Sequence, residues 1–288
     1  MGNKNEIGKL FCRIINKQDY EKFDNLYLFF AMKKSGQHPI INWINEHTTP
    51  SVLYNDCRIF DNSLYYTIKK LYYEKKSESD NKVVYNVKKS KKFEYDLMND
   101  KIDSMKMNSA LFNFESISFF DIKDFIKNNF KDKKVIISFI VRDVFNQFSD
   151  VNTPSIKLWK EHVKICLGKL DCGFKIVDIN FNKWVLDSTY RRNIAKRLEF
   201  KFDRKLDNMA MSVIPAPGQS RFNHNKFSND AREMDVLYRW KIAIEKDFDG
   251  LYMIDSEAVK LNRAYFDFIP DAWTHMLKEK EYENSSMY

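Results

Sequence analysis

Between Lys183 and Lys205 the chain carries eight cationic side chains (Lys183, Arg191, Arg192, Lys196, Arg197, Lys201, Arg204 and Lys205) against three carboxylates, Asp187, Glu199 and Asp203. Arginine is the informative residue in this run. Its planar fork pairs with phosphate oxygens and with guanine edges. Ser188 to Leu198 has helical spacing, with Tyr190, Ile194 and Leu198 on one side and Arg191, Arg192 and Lys196 on another. Leu198 to Asp203 then alternates like a strand, Arg204 to Asn208 reads as a turn, and Met209 to Ile214 reads as a returning strand. A basic helix followed by a hairpin is the element order of a winged-helix reader. A second basic tip is expected at Lys88, Lys89, Lys91 and Lys92, between strands at Val83–Val87 and Phe93–Leu97. The expected nucleic-acid contacts are therefore Arg191, Arg192, Lys196, Arg197, Arg204 and Lys205, together with those four lysines.

The same region admits cleavage chemistry. Asp178 followed by Glu199-Phe200-Lys201 follows the Asp…Glu-x-Lys pattern of metal-dependent nucleases. Residues at i and i+2 share a strand face, so two carboxylates would hold Mg²⁺ while Lys201 polarises the attacking water. The pattern is permissive, and a basic helix interrupts the strands it needs. His38, His47, His162, His224 and His275 form no metal-ligand spacing, and only His224, in a polar loop, is a candidate general base. No Walker loop and no GxGxxG occurs, and with seven glycines in the chain a phosphate-cradling loop is not expected. Asp247-Phe248-Asp249-Gly250 lacks the further ligands of a calcium loop. Tyr66 and Tyr73 are candidate stacking residues, although Tyr65 and Tyr72 read as core.

The elements positioning these groups read as a mixed α+β chain. The first 76 residues pattern as helices, with Ile7, Leu10, Phe11, Ile14 and Ile15 on one face and Tyr20, Phe23, Leu26, Tyr27 and Phe30 on another. Gly36 is read as ending the second helix, Pro39 opens a third through Trp43, and residues 63–76 form a fourth. A helical unit with a β-hairpin is expected over 1–98, a linker over 99–110, and a mixed domain over 111–288. In that domain Leu111 to Ile117 looks extended and Ser118 caps a helix through Phe130. Val135 to Val141 is the strongest buried strand, Pro154 and Ser155 open a helix, and Phe174 to Phe181 is a strand. Residues 230–246 form a long helix, and 271–282 form a last one. Two winged-helix-like units in tandem are the expected arrangement.

Composition bounds the class. The 288 residues are 44% hydrophobic and 31% charged, with 24 Phe, 15 Tyr and 5 Trp, which supplies a packed core. A net charge of +8 favours polyanions, with binding that weakens as salt rises. Cys12, Cys57, Cys166 and Cys172 form no CxxC pair, so reduced thiols are expected. No apolar run approaches the roughly 20 residues a bilayer needs. The expectation is a cytoplasmic DNA-binding protein without a membrane segment or cofactor, such as a replication initiator or transcription factor of a mobile element or virus. Two other classes remain: the Mg²⁺-dependent nuclease, and a viral or plasmid structural or inhibitory protein with an acidic partner.

Overall fold

A computed structural model describes residues 12–15, 20–49, 51–54, 56–60, 63–67, 74–76, 82–84, 108–149, 155–212, 236–245, 251, 253–271 and 273. Its centre is a five-stranded parallel sheet built from β2 (Asn25–Ala31), β3 (Ser51–Tyr54), β8 (Ser109–Glu115), β9 (Lys134–Val141) and β10 (Ile176–Asn180). The strand order is β10-β9-β2-β8-β3. Leu28 of β2 lies level with Phe112 of β8 and Ile137 of β9. Both faces of such a sheet are covered, so its inner strands are continuous apolar runs rather than alternating ones. Leu26, Leu28, Phe29 and Phe30 are accordingly sealed from solvent.

Helix α1 (Gln37–Thr48) buries Ile40, Ile41, Trp43 and Ile44 against one face, together with Tyr27, Phe29 and Leu111 of the sheet. On this face also lie α5 (Phe181–Leu186), α6 (Ser188–Arg197) and α7 (Arg204–Ser212). The other face takes α2 (Phe119–Asn129), whose Phe119, Ile122, Phe125 and Ile126 pack with Phe30, Phe112 and Phe139. A third cluster joins α3 (Val144–Gln147), α4 (Ile156–Cys166) and α9 (Ser256–Phe266) through Phe145, Trp159 and Leu261, and α8 (Arg239–Glu245) adds Ala243. Strands β1 (Cys12–Ile15), β5 (Ser63–Thr67) and β4 (Arg58–Phe60) form a small antiparallel sheet in the order β1-β5-β4. β6 (Glu74–Lys76) and β7 (Lys82–Val84) pair as a hairpin.

The mixed α+β class is as expected, and so are the strand near 135–141 and the helices near 119–129, 156–166 and 188–197. Of the helical N-terminal part only the expected third helix, from Pro39 through Trp43, is present, within α1. Residues 25–31 and 63–67 are strands, and 12–15 pair with 64–67. β8 inserts between β2 and β3, so the chain on both sides of 99–107 contributes to one sheet. The winged-helix order also fails. After α6 the chain turns at Glu199, where φ is 62°, and enters α7 where a hairpin had been expected. Lys88 to Lys92 and His224 lie outside the described residues, as do the expected strand 93–97 and most of the helix at 271–282. No helix among the described residues is long and apolar enough to cross a membrane.

Candidate functional site

The strand order reverses around β2. From β2 the chain crosses through α1 to β3 on the far side of β8, whereas from β8 it crosses through α2 to β9 on the opposite side of β2. Connections leaving towards opposite faces open a crevice outside the carboxyl ends of the strands, where open α/β sheets bind ligands.

The β2–α1 loop, Met32-Lys33-Lys34-Ser35-Gly36-Gln37, lies in that crevice. Lys34 and Gly36 both have positive φ, 73° and 81°, and flank Ser35. Backbone of alternating hand turns successive N–H groups towards one concave side, the nest geometry that receives anions. Neighbouring residues hold the opposing carbonyls. Gln147 donates Nε2 to the Lys33 carbonyl at 2.5 Å, and Arg142 donates Nη1 to the Lys34 carbonyl at 3.3 Å. Ser116 Oγ accepts from the Lys33 N–H at 3.0 Å, which ties the loop to the end of β8. Glycine is required at 36 for two reasons. Its φ is left-handed, and a Cβ there would stand 2.1 Å from the Phe181 ring.

The start of α1 differs from most of its neighbours. Gly36 offers no side-chain cap, and the first turn holds no acid. The N-terminus of α2 is filled by Ser118 and by Glu161, which accepts the Phe119 N–H at 2.9 Å. Asp143, Asn180, Asp187 and Asp255 cap α3, α5, α6 and α9. Only α4, which opens at Ser155, shares the lack of a cap bond among the helices with a described cap. The first amides of a helix have no intrahelical acceptor and carry the positive end of its dipole.

Polar groups buried around this loop lack partners among the described residues. They are Ser35 Oγ, both amide atoms of Gln37, Arg142 Nε, Gln147 Oε1 and Asn182 Oδ1. Arg142 is 2% exposed and no carboxylate bonds it among the described residues. Its Nη groups reach the carbonyls of Lys34 and Val236, and its guanidinium lies 5.1 Å from the centre of the Phe181 ring. Burial, reinforced by the nearby Arg239 and only partly offset by Asp143, pulls its pKa down to about 9. A desolvated cation of this kind is stabilised by an anion. The adjacent Asp143 is fully occupied. Its oxygens accept from the Asn146 N–H at 2.9 Å, from Asn146 Nδ2, and from Asn182 Nδ2 at 3.0 Å. Asn146 Nδ2 also reaches the Leu237 carbonyl at 2.9 Å, so the chain before α8 is pinned beside the crevice.

The residues expected to read nucleic acid are elsewhere. Arg191 is buried, donating to Asp207 at 2.6 Å and 2.9 Å, and Asp207 also accepts Trp43 Nε1 at 3.0 Å. It is a bolt joining α6, α7 and α1. Arg197 pairs with Asp178 at 2.5 Å, and Arg192 lies over the Phe202 ring. Lys196, Arg204 and Lys205 are exposed, whereas Arg191 is buried. The nuclease triad is also dispersed. Asp178 is bonded by Arg197 and by Tyr265 at 2.7 Å and lies level with Phe139 of β9, whereas Glu199 pairs with Lys134 at the start of β9. Lys201 is exposed, and no cluster of metal-ligating side chains occurs among the described residues.

A count of glycines does not find the loop at 33–37, where Gly36 is the single glycine and Lys34 supplies the second positive φ. The readable signal is a Ser-Gly pair between an apolar run and an amphipathic helix, with Arg142-Asp143 ending the strongest strand.

No family model matches the chain, and no curated protein resembles it. Among solved structures, the sulfotransferase domain from the Synechococcus PCC 7002 olefin synthase is similar over 88% of this chain and 99% of its own, at 11% identity and a TM-score of 0.45. Arg191 turned inward onto Asp207, and α7 in place of the expected wing, correct the expectation of a winged-helix DNA-binding protein, and nothing among the described residues supports a viral or mobile-element origin.

Proposed function

We propose that this chain binds the phosphate or sulfate group of a small-molecule donor in the β2–α1 nest and acts in transfer of that group. The observation carrying the reading is the convergence of unpartnered buried donors, Ser35 Oγ and Arg142 Nε, on a positive-φ loop at the switch point of a parallel sheet. Lys33 and Lys34 add positive charge at its mouth. Developing negative charge on a transferred group is what such preorganised donors stabilise.

The test is a thermal-shift and calorimetric panel of inorganic pyrophosphate, ATP and GTP with Mg²⁺, and adenosine 3′,5′-bisphosphate. At a concentration 100 times Kd, a bound ligand stabilises the fold by about 2.7 kcal/mol. Arg142→Met is expected to abolish the response. Absence of any shift across the panel refutes the reading. Turnover is then sought as label passing from the bound donor to a hydroxyl acceptor.

A further inference from the structure

Two acceptors beside the nest are assigned by their own partners. Gln147 gives Nε2 to the Lys33 carbonyl, so its remaining amide atom is the carbonyl oxygen. Asn182 gives Nδ2 to the Asp143 carboxylate at 3.0 Å, which fixes its Oδ1 in the same way. Both oxygens are buried and have no donor among the described residues. They are close to the nest through short chains of contacts. Gln147 holds the nest's own carbonyl. Asn182 follows Phe181, whose ring closes over Gly36, and its Asp143 partner follows Arg142, which holds the Lys34 carbonyl.

A bare phosphate or sulfate group presents acceptors to its surroundings. It satisfies Ser35 and Arg142 and leaves Gln147 Oε1 and Asn182 Oδ1 orphaned, each at the desolvation cost of an unmade hydrogen bond. The orphan set is mixed, so its complement is mixed.

We infer, building on the proposed reading of this site, that the donor is an ester whose alcohol part carries hydroxyl or amino hydrogen-bond donors received by Gln147 Oε1 and Asn182 Oδ1. Its chemical class is a sugar or nucleoside phosphate or sulfate. The anionic group occupies the nest, and the hydroxylated part lies towards α3 and α5.

The experiment compares methyl phosphate with ribose 5-phosphate on the wild-type protein by calorimetry, with pyrophosphate alongside. The two esters share the phosphate and differ in hydroxyls. Ribose 5-phosphate is expected to bind at least about tenfold more tightly, the sum of two net hydrogen bonds. Asn182→Leu is expected to reduce that ratio roughly fivefold. Gln147→Met provides the same readout if Asn182→Leu does not fold. Equal affinity for the two esters, or a ratio unchanged in the variants, overturns the inference while the nest reading stands. Failure of all three ligands to bind overturns both.

Discussion

Replacing Gly36 with alanine tests the geometry of the nest directly. Two costs add at this position. A left-handed conformation costs an L-residue about 1 kcal/mol. The new methyl would sit 2.1 Å from the Phe181 ring, and that ring is itself buried, so it cannot simply swing aside. Overpacking of this kind costs about 1–3 kcal/mol. The expected total is roughly 2–4 kcal/mol, or a Tm lower by roughly 4–16 °C at this chain length. Gly168→Ala is the internal control, because Gly168 has φ of 68° but nothing within 4 Å of its Cβ position. That variant carries the backbone cost alone, about 1 kcal/mol. Urea unfolding of both variants isolates the steric contribution as their difference. Gly36→Ala combined with Phe181→Leu should recover part of it. If Gly36→Ala costs no more than Gly168→Ala, the close approach of Phe181 to the loop is wrong, and the nest loses its physical basis.

Breaking the buried pair by Arg191→Met should destabilise by about 3–5 kcal/mol in denaturant unfolding, since Asp207 is left charged and buried; adding Asp207→Leu should return much of the loss. His162 is held near pKa 4 by burial, below its ordinary 6.5. Its folded form resists a proton that the unfolded chain accepts, so stability falls as pH drops from about 6.5 to about 4, by roughly 3 kcal/mol at the lower end. Histidine NMR titration checks the protonation, and His162→Leu should flatten that part of the pH–stability curve. Glu257 is lowered to about 2 by hydrogen bonds from Lys160 and Lys164. Its contribution is present above about pH 4.5 and disappears as pH falls towards 2; the shift should vanish from a carboxylate titration of Lys160→Met/Lys164→Met.

Several elements were legible because their determinants are local. Ser118 before Phe119-Phe120-Asp121-Ile122 marks a capped amphipathic helix, and α2 starts there with Ser118 accepting the Phe120 N–H at 3.2 Å. The run Val135 to Val141 is too short and too β-branched for a helix, and it is β9. The run Leu26 to Ala31 misled for the same reason that it is buried. With a parallel strand on each side and helices on both faces, every position is apolar, and such a run satisfies helical spacing as well as extended spacing. Arg191 misled because a guanidinium on a polar helix has the same sequence signature whether it meets a phosphate or a carboxylate. Its partner Asp207 is sixteen residues away on another helix.

The amino-acid sequence by itself determined the α+β class, the central strand 135–141, and the helices whose caps and apolar stripes are written within one or two turns. Tertiary structure alone decided that residues 12–15 and 25–31 are strands, that Arg191 faces inward while Arg192 and Arg197 stay exposed, and that the loop from Lys33 to Gln37 meets Arg142, Gln147 and Phe181. Strand order, and with it the position of a crevice, follows from long-range pairing of β2 with β8 and β9. Those pairings depend on which apolar faces cover one another over separations of eighty residues and more. Helical or strand periodicity within a short window contains no information about that choice.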